Sequence, residues 1–364
     1  MMRTPSLPDF PWDSLTDAKK IAESHADGII NLSVGTPVDP VAPGIQLALA
    51  ESGSAPGYPQ TAGTAQLRDS ISSALRRRYH MHVEAVLPVV GTKEAIAWLP
   101  TLLGSKFVVI PELAYPTYEV SARLAGANVL RADSLTQIGP ARPDLLFINS
   151  PSNPTGKVLG IEHLRKVVGW AQSRGVIVAS DECYLGLGWQ SAGEDEPLSI
   201  LDPRVCDGDT TNLIAIHSLS KTSNLASYRA GYLAGDPKII DALLQARKHA
   251  GLMVPGPIQA AMVAALDDDA HELAQKQIYG ERRAKLLGAL SDAGFRIDNS
   301  EAGLYLWASR DEPCRDTVDW FAERGILVAP GEFYGPKGKN HVRISLTETD
   351  ERIAAAVSRL CSDK

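Results

Sequence analysis

Short apolar runs and amphipathic helical patterns alternate along the chain from about residue 86 to residue 235. Several of these runs are apolar throughout, which is typical of strands that are covered on both faces. The segments between them have the spacing of helices that pack on such a sheet. This alternation predicts a mainly parallel α/β sheet, and ligands of such sheets bind beyond the carboxyl ends of the strands. The predicted strands are residues 86–90, 107–110, 145–149, 176–180, 213–216 and 230–234, and clear helical patterns cover residues 65–79, 93–103 and 162–174.

The length of 364 residues exceeds that of most single domains, so we expect one large domain and one smaller domain. We predict that residues 45–250 form the large α/β domain and that residues 1–44 and 251–364 form the small α+β domain. The polar segment 186–209 predicts a surface loop. In the small domain we expect a long helical region at residues 258–293, strands at 304–307, 327–329 and 342–345, and helices at 315–324 and from 348.

Charge and cysteine content argue against several functional classes. The net charge of −7 argues against a general nucleic-acid surface. No apolar run reaches the length of about eighteen residues that a membrane span needs, and residues 1–10 lack the pattern of a secretion signal. The four cysteines are scattered without a CxxC pair, so we expect neither a disulfide framework nor a metal site. These features favour a cytoplasmic enzyme.

A cluster of polar side chains follows the predicted strand 213–216. It contains the amine of Lys221, the hydroxyl groups of Ser218 and Ser220, and the guanidinium of Arg229. An amine can form a Schiff base with an aldehyde, whereas hydroxyl groups and a guanidinium suit a phosphate. Pyridoxal 5'-phosphate is the cofactor that offers both groups on one molecule. The alternative is a solvated lysine on a serine-rich turn.

Two further segments follow predicted strands at the same sheet edge. Asn153 lies in a loop that two prolines and a glycine make rigid, so its amides can face a ligand, although an ordinary turn is the alternative. Asp181 and Tyr184 follow the strand 176–180. A carboxylate there can hold a protonated pyridine nitrogen, and the tyrosine can donate to a phenolic oxygen. A helix N-cap is the alternative role for Asp181.

A helix start and an arginine complete the predicted site. Gly91, Thr92 and Lys93 open the helix after strand 86–90, and free amides at a helix start bind phosphate. Such helix starts are common, so this signal is weak alone. Arg343 lies on the strand 342–345, where its guanidinium can grip a substrate carboxylate with two hydrogen bonds. An arginine on the protein surface is the more frequent case.

Taken together, these motifs resemble the class I/II aminotransferases, which share the aspartate aminotransferase fold, fold type I of the pyridoxal phosphate enzymes. The resemblance spans nearly the whole chain, and the motifs occur in the family's order. It implies a pyridoxal 5'-phosphate cofactor and amino acid and 2-oxo acid substrates. The motifs are Asn153-Pro154-Thr155-Gly156, Asp181-x-x-Tyr184, Ser218-x-Ser220-Lys221 with Arg229, and Arg343-Ile344-Ser345.

The resemblance also implies a role for each residue. Lys221 matches the Schiff-base lysine, and Asp181 matches the partner of the pyridine nitrogen. Asn153 and Tyr184 match the two donors to the phenolic oxygen of the cofactor. The residues that match the phosphate-binding group are Ser218, Ser220 and Arg229, with the helix start at Gly91, Thr92 and Lys93.

Further matches concern the ring, the partner subunit and the substrate. Tyr115 matches the aromatic residue that stacks on the cofactor ring, with a core tyrosine as the alternative. Tyr58 resembles a tyrosine that reaches the cofactor phosphate of the partner subunit, which implies an obligatory homodimer. Gly35 resembles the glycine beside the substrate carboxylate, where Arg343 makes the main contact and Asn153 assists. Family members often have a cis peptide bond before the proline that matches Pro154.

Two positions depart from the family pattern. Many relatives carry glycine where Ser227 stands and a small residue where Asn224 stands. Asparagine tolerates left-handed backbone angles, so a tight loop is still compatible with the sequence.

The closest resemblance within the family is to the actinobacterial N-succinyldiaminopimelate aminotransferases, over residues 7–12, 32–40, 91–100, 220–226 and 251–255. It implies transfer of an amino group from glutamate to N-succinyl-2-amino-6-oxopimelate in lysine and diaminopimelate biosynthesis. An aspartate or aromatic aminotransferase of the same fold is the alternative.

Two readings from other classes have less support. A pyridoxal phosphate β-lyase would share the cofactor residues, but its products would be pyruvate and ammonia instead of a new amino acid. A transcription regulator would need an added DNA-binding domain, and none fits before Tyr58. For the distal, succinylated end of the substrate, Arg247 or Lys248 is a guess.

Overall fold

The computed structural model describes residues 7–189 and 196–361. Its strands are β1 (Ile30–Asn31), β2 (Ala85–Val90), β3 (Phe107–Ile110), β4 (Asn128–Arg131), β5 (Leu145–Asn149), β6 (Ile177–Asp181), β7 (Leu213–Ser218), β8 (Ala230–Gly235), β9 (Arg296–Asp298), β10 (Tyr305–Ser309), β11 (Ile326–Leu327), β12 (Ala329–Pro330) and β13 (Val342–Ser345). Its α-helices are α1 (Thr16–Glu23), α2 (Pro43–Glu51), α3 (Ala65–Tyr79), α4 (Thr92–Leu102), α5 (Thr117–Leu124), α6 (Leu135–Ile138), α7 (Ile161–Arg174), α8 (Pro203–Cys206), α9 (Leu219–Thr222), α10 (Pro237–Ala250), α11 (Gly256–Asp267), α12 (Asp269–Asp292), α13 (Cys314–Glu323) and α14 (Asp350–Cys361).

A seven-stranded sheet with the order β2-β8-β7-β6-β5-β3-β4 carries the site. The pairs from β7 across to β4 are all parallel. Strand β8 is antiparallel to both of its neighbours, β2 and β7. The prediction of a mainly parallel α/β sheet is therefore confirmed, and the carboxyl ends of β5, β6 and β7 meet at one edge.

The predicted strands agree with the observed ones to within two residues at each end. Strands β3 and β5 match their predicted bounds, whereas β6 and β7 extend further toward the site, to Asp181 and Ser218. They extend because these backbones still pair with neighbours, Asp181 with Asn149 and Ser218 with Gly231. Strand β4 was not predicted, because its polar end residues do not form a continuous apolar run. Its partial exposure suits its position at the edge of the sheet.

The second sheet has the order β12-β13-β10-β9 and is antiparallel throughout, and β1 pairs with β11 beside it. The predicted long helical region at residues 258–293 is two helices, α11 and α12. The chain breaks at Asp268, which has extended backbone angles and accepts a hydrogen bond from the amide of Ala270 (2.9 Å). An aspartate in this geometry starts a new helix.

The segment 186–209 is only partly the surface loop that the sequence predicts. It includes the short helix α8, and Leu187 and Ile200 are fully buried. Ile200 also donates its amide to the buried carboxylate of Glu182 (2.8 Å), which ties this segment to the end of β6. Residues 190–195 lie outside the described ranges.

Separate apolar clusters cover the two sheets. Leu15 and Ile30 belong to the cluster of the four-stranded sheet, whereas Ile45 belongs to one of the two clusters on the seven-stranded sheet. Val254 and Met262 pack in that same cluster, although they follow the predicted boundary at residue 251. The division into two domains stays a prediction. Among the described helices, none is long and apolar enough to cross a membrane.

Candidate active site

A cavity of about 760 Å³ lies at the sheet edge where β5, β6 and β7 end. It brings together nearly all of the residues that the sequence predicted for the site, although they come from distant parts of the chain. The predicted residues that line it are Gly35, Thr92, Lys93, Tyr115, Asn153, Asp181, Tyr184, Ser218, Ser220, Lys221, Arg229 and Arg343. Gly91 lies directly behind this lining, against Arg229.

Lys221 lies on α9, the short helix that follows β7. The hydroxyl of Ser218 accepts a hydrogen bond from the amide of Ser220 (3.1 Å), which caps this helix. The Lys221 Nζ donates a hydrogen bond to the carbonyl oxygen of Gly35. Burial lowers the pKa of Lys221, so more of the amine is neutral near pH 7. A neutral amine can act as a nucleophile or as a base.

The carboxylate of Asp181 is buried at the end of β6. Tyr118 donates its hydroxyl to Asp181 Oδ2 (2.7 Å), and the Cys183 amide donates to Oδ1 (3.2 Å). Burial raises the pKa of Asp181, and these hydrogen bonds oppose that rise. A cation bound beside Asp181 would favour its ionised form further. The ring of Tyr115 lies edge-on to that of Tyr118, at 5.7 Å between centroids.

Hydroxyl groups and a guanidinium also line the cavity. Gly91 has a φ of 75° just before α4, and a β-carbon there would overlap the guanidinium of Arg229. Arg229 itself has a left-handed φ of 58° and donates to the carbonyl oxygen of Ala226 (2.8 Å). Ser218 and Ser220 line the same cavity. This donor-rich set beside a helix start suits a phosphate group.

Arg343 is a buried cation, with only 3% of its surface exposed. Its Nη1 donates to Asn153 Oδ1 (2.9 Å), and its Nη2 donates to the carbonyl oxygen of Ser33 (2.8 Å). The buried Nε has no hydrogen-bond partner among the described residues, and the partners of the other two nitrogens are neutral oxygens instead of a carboxylate. A buried charge without a counterion is costly, so the site is complete only with an anionic ligand.

Tyr305 connects three predicted residues, although the sequence did not point to it. The guanidinium of Arg343 lies over its ring, 3.9 Å from the centroid. Its hydroxyl is 3.1 Å from that of Tyr184. A β-carbon at Gly35 would overlap the Tyr305 ring, which explains the glycine at this position. Burial alone would raise the pKa of Tyr305, but the positive charges of Arg343 and Lys221 hold it below its usual value.

Several predicted positions lie elsewhere. Tyr58 is 97% exposed and lies outside the cavity of its own chain, so its role toward a partner subunit stays a prediction. Neither Arg247 nor Lys248, which the sequence suggested for the distal substrate end, lines this chain's cavity, and Arg247 is buried against Glu94 (2.9 and 3.0 Å). The cis peptide bond lies between Ser150 and Pro151 instead of before Pro154.

A network of polar side chains on α12 joins the two loops that flank Lys221. Arg282 makes a bidentate ion pair with Asp39 (2.6 and 2.8 Å) and contacts Asp350 (2.7 Å). Gln275 donates to Asp39 (2.8 Å) and accepts from Asn224 (2.7 Å). Asn224 has a left-handed φ of 57°, as the sequence allowed. Helix α12 therefore positions both the Gly35 loop and the Lys221 loop.

We expect the substitution Arg282→Met to destabilise the protein by about 3 kcal/mol, because it leaves Asp39 unpaired in a mostly buried position. Urea unfolding of the purified variant measures this loss. Lys19→Met is the matched control, because it removes only an exposed ion pair with Glu23 and should leave the unfolding midpoint unchanged. Equal midpoints for the two variants would contradict the role of Arg282.

Comparison with known proteins places the chain in a family. Residues 27–360 match the family model described as aminotransferase class I and II. A probable aminotransferase of Mycobacterium tuberculosis is 67% identical, covering 98% of this chain and 85% of the relative. The 4-dedimethylamino-4-oxo-anhydrotetracycline transaminase OxyQ of Streptomyces rimosus is 53% identical over 97% of this chain and 99% of its own length. An LL-diaminopimelate aminotransferase of Dehalococcoides mccartyi is 31% identical over 100% of this chain and 98% of its own length.

A solved structure supports the same placement. The probable N-succinyldiaminopimelate aminotransferase of Thermus thermophilus superposes with a TM-score of 0.86 at 25% identity, covering 96% of this chain and 99% of that chain. The fold and family are those of pyridoxal-phosphate-dependent enzymes of the aspartate aminotransferase type. Within that class, the chain belongs to the class I and II aminotransferases.

The cavity residues fit this cofactor. The hydroxyl groups of Ser218 and Ser220 and the guanidinium of Arg229 offer donors for a phosphate. Asp181 offers a buried carboxylate for a protonated ring nitrogen. Lys221 places a buried amine in the same lining.

Proposed function

We propose that this aminotransferase converts N-succinyl-2-amino-6-oxopimelate and glutamate into N-succinyl-LL-2,6-diaminopimelate and 2-oxoglutarate, within lysine and diaminopimelate biosynthesis. The segments that resemble the actinobacterial enzymes support this substrate. The relatives named for diaminopimelate and N-succinyldiaminopimelate support it as well. A cavity of about 760 Å³ lies in the upper part of the usual range for small-molecule sites and leaves room for a long acyl amino acid.

The observation that carries the proposal is the buried, unpaired guanidinium of Arg343 beside the amine of Lys221. An amino acid or 2-oxo acid supplies the missing carboxylate, and the guanidinium of Arg343 can donate to it. Asn153 Oδ1 and the Ser33 carbonyl oxygen orient the guanidinium for that contact. The bound substrate then holds its α-carbon near Lys221, where a short proton transfer is favoured.

Each residue of the site receives a role in this proposal. When bound, pyridoxal 5'-phosphate supplies an aldehyde that carries the amino group and a ring that accepts electrons. Lys221 Nζ takes the α-proton of the substrate and delivers it again later in the reaction. Asp181 offers a negative charge to the protonated ring nitrogen of the cofactor. Tyr184 and Asn153 offer hydrogen-bond donors to its phenolic oxygen.

We further propose a homodimer in which Tyr58 serves the site of the partner subunit. Tyr58 follows Gly57, which has a φ of 87°, and its side chain is almost fully exposed. Leu47 and Trp98 are also exposed large apolar residues. A subunit contact would cover these side chains.

A second candidate substrate is a polycyclic ketone, like that named for the transaminase OxyQ, which is 53% identical. The apolar residues Leu7, Phe10 and Trp12 of the N-terminal segment line the cavity, and such a lining suits a large apolar ring system. An aspartate or aromatic acceptor is a further alternative within the same fold.

Purified protein supplied with pyridoxal 5'-phosphate and glutamate tests these candidates. We expect kcat/KM for N-succinyl-2-amino-6-oxopimelate to exceed that for oxaloacetate, phenylpyruvate and an anhydrotetracycline ketone by at least about tenfold, because only the first combines a long chain with several carboxylates. Production of 2-oxoglutarate is the readout. A preference for one of the other three acceptors would contradict the proposed substrate, and release of pyruvate and ammonia from amino acids would indicate a β-lyase.

A further inference from the structure

The N-terminal segment 7–12 forms one wall of the cavity and carries two aromatic rings. Phe10 and Trp12 lie 5.6 Å apart between ring centroids. Each ring lies near a different cation, Trp12 at 6.0 Å from the guanidinium of Arg343 and Phe10 at 5.7 Å from the Lys93 ammonium. The aromatic pair therefore spans the distance between two positive charges in the same cavity.

Lys93 has no role in the proposed chemistry beyond its backbone amide. The described cations that line the cavity are Lys93, Lys221, Arg229 and Arg343. The last three are assigned to the proton transfer, the phosphate and the α-carboxylate. Within residues 7–189 and 196–361, no carboxylate forms an ion pair with Lys93, so its ammonium is free for a ligand.

The apolar part of the cavity lining suits a long acyl chain. Ile96 and Val120 line the cavity together with the aromatic pair. The indole Nε1 of Trp12 is buried and has no hydrogen-bond partner among the described residues. A buried donor of this kind is costly unless a ligand accepts from it.

We propose that Lys93 is a specificity-determining residue that binds a carboxylate at the distal end of the substrate. The α-carboxylate lies on Arg343, the chain runs along Trp12 and Phe10, and the distal carboxylate lies on the Lys93 Nζ. This inference rests on the proposed function, because it deepens the choice of an acidic, extended substrate. A succinyl group provides such a carboxylate together with an amide carbonyl.

The test uses the full-length holoenzyme and two pairs of amino donors. N-Succinyl-LL-diaminopimelate is paired with its N-acetyl analogue, which lacks the succinyl carboxylate, and 2-aminopimelate is paired with 2-aminoheptanoate, which lacks the second carboxylate. We expect Lys93→Met to lower the ratio of kcat/KM, the donor with the additional carboxylate over its analogue without it, by roughly tenfold in both pairs. Lys93→Arg should keep both ratios within about threefold, because it keeps the charge.

Lys248→Met is the matched control, because Lys248 is an exposed lysine outside the cavity, and its ratios should equal those of the wild type. Unchanged ratios in Lys93→Met would overturn the subsite. If Lys93→Met binds the cofactor more weakly and its ratios are unchanged, the Lys93 side chain contacts the cofactor phosphate, and the proposed subsite is overturned as well. If the wild type rejects the succinylated donor, the proposed substrate fails, and the 2-aminopimelate pair still decides the role of Lys93.

Discussion

Replacing Lys221 by alanine should abolish transamination, with turnover lower by roughly 10⁴-fold. The reason is that the buried amine of Lys221 is the only lysine amine among the described cavity residues that lies beside Gly35 and the substrate arginine. Borohydride treatment of the wild type should attach the cofactor to the peptide that contains Lys221, and the variant should carry no label there. Mass spectrometry of digested protein measures this directly.

Two controls sharpen the experiment. Lys248→Ala removes an exposed lysine and should retain full turnover and labelling. A small amine such as methylamine, added to the Lys221→Ala variant, should restore part of the activity, because it can replace the missing base in the vacated space. Near-normal turnover of Lys221→Ala without added amine would refute the assignment of this lysine.

Replacing Asp181 by asparagine should lower kcat by about 10²- to 10³-fold while the protein still binds pyridoxal 5'-phosphate. The substitution keeps the shape of the side chain and the contact with Tyr118, but it removes the buried negative charge. Without that charge, a protonated ring nitrogen is no longer stabilised, so the ring accepts electrons less readily. Steady-state kinetics and the absorbance of the bound cofactor measure the two effects separately.

Tyr118→Phe is the matched control for Asp181, because it removes one hydrogen bond to the carboxylate and keeps the charge. We expect it to cost roughly tenfold in kcat, far less than Asp181→Asn. If both variants lose activity equally, the hydrogen bond matters and the charge does not. Full activity in Asp181→Asn would remove this residue from the mechanism.

The positions of the strands and of most site residues were predictable because local signals mark them. Apolar runs covered on both faces gave β3 and β5 their correct bounds. Residues such as Asp181 and Lys221 follow such runs directly, so the sheet topology alone brings them to one edge. The break at Asp268 was missed, because a capping aspartate inside a long helical pattern looks like any polar surface residue.

Residues that act through distant partners were not predictable from local patterns. Tyr118 contacts Asp181 across 63 positions of sequence, and no local sequence pattern around Tyr118 predicts that hydrogen bond. Tyr305 lies under Arg343 only because β10 and β13 pair in one register, Tyr305 opposite Ser345. Phe10 and Trp12 lie in the segment 7–12 that resembles the family, but only the fold shows that they line a cavity built from distant parts of the chain.

The reversed direction of β8 changes where functional positions are found around it. Strands β5, β6 and β7 end at the cavity, so the cavity-lining side chains lie at or just after the carboxyl end of each strand. Strand β8 runs the other way, and the chain passes the ligand before that strand begins. Arg229, which immediately precedes β8, occupies this entry point. Around an antiparallel strand of such a sheet, the residues directly before the strand are therefore the ones to inspect for side chains that face the cavity.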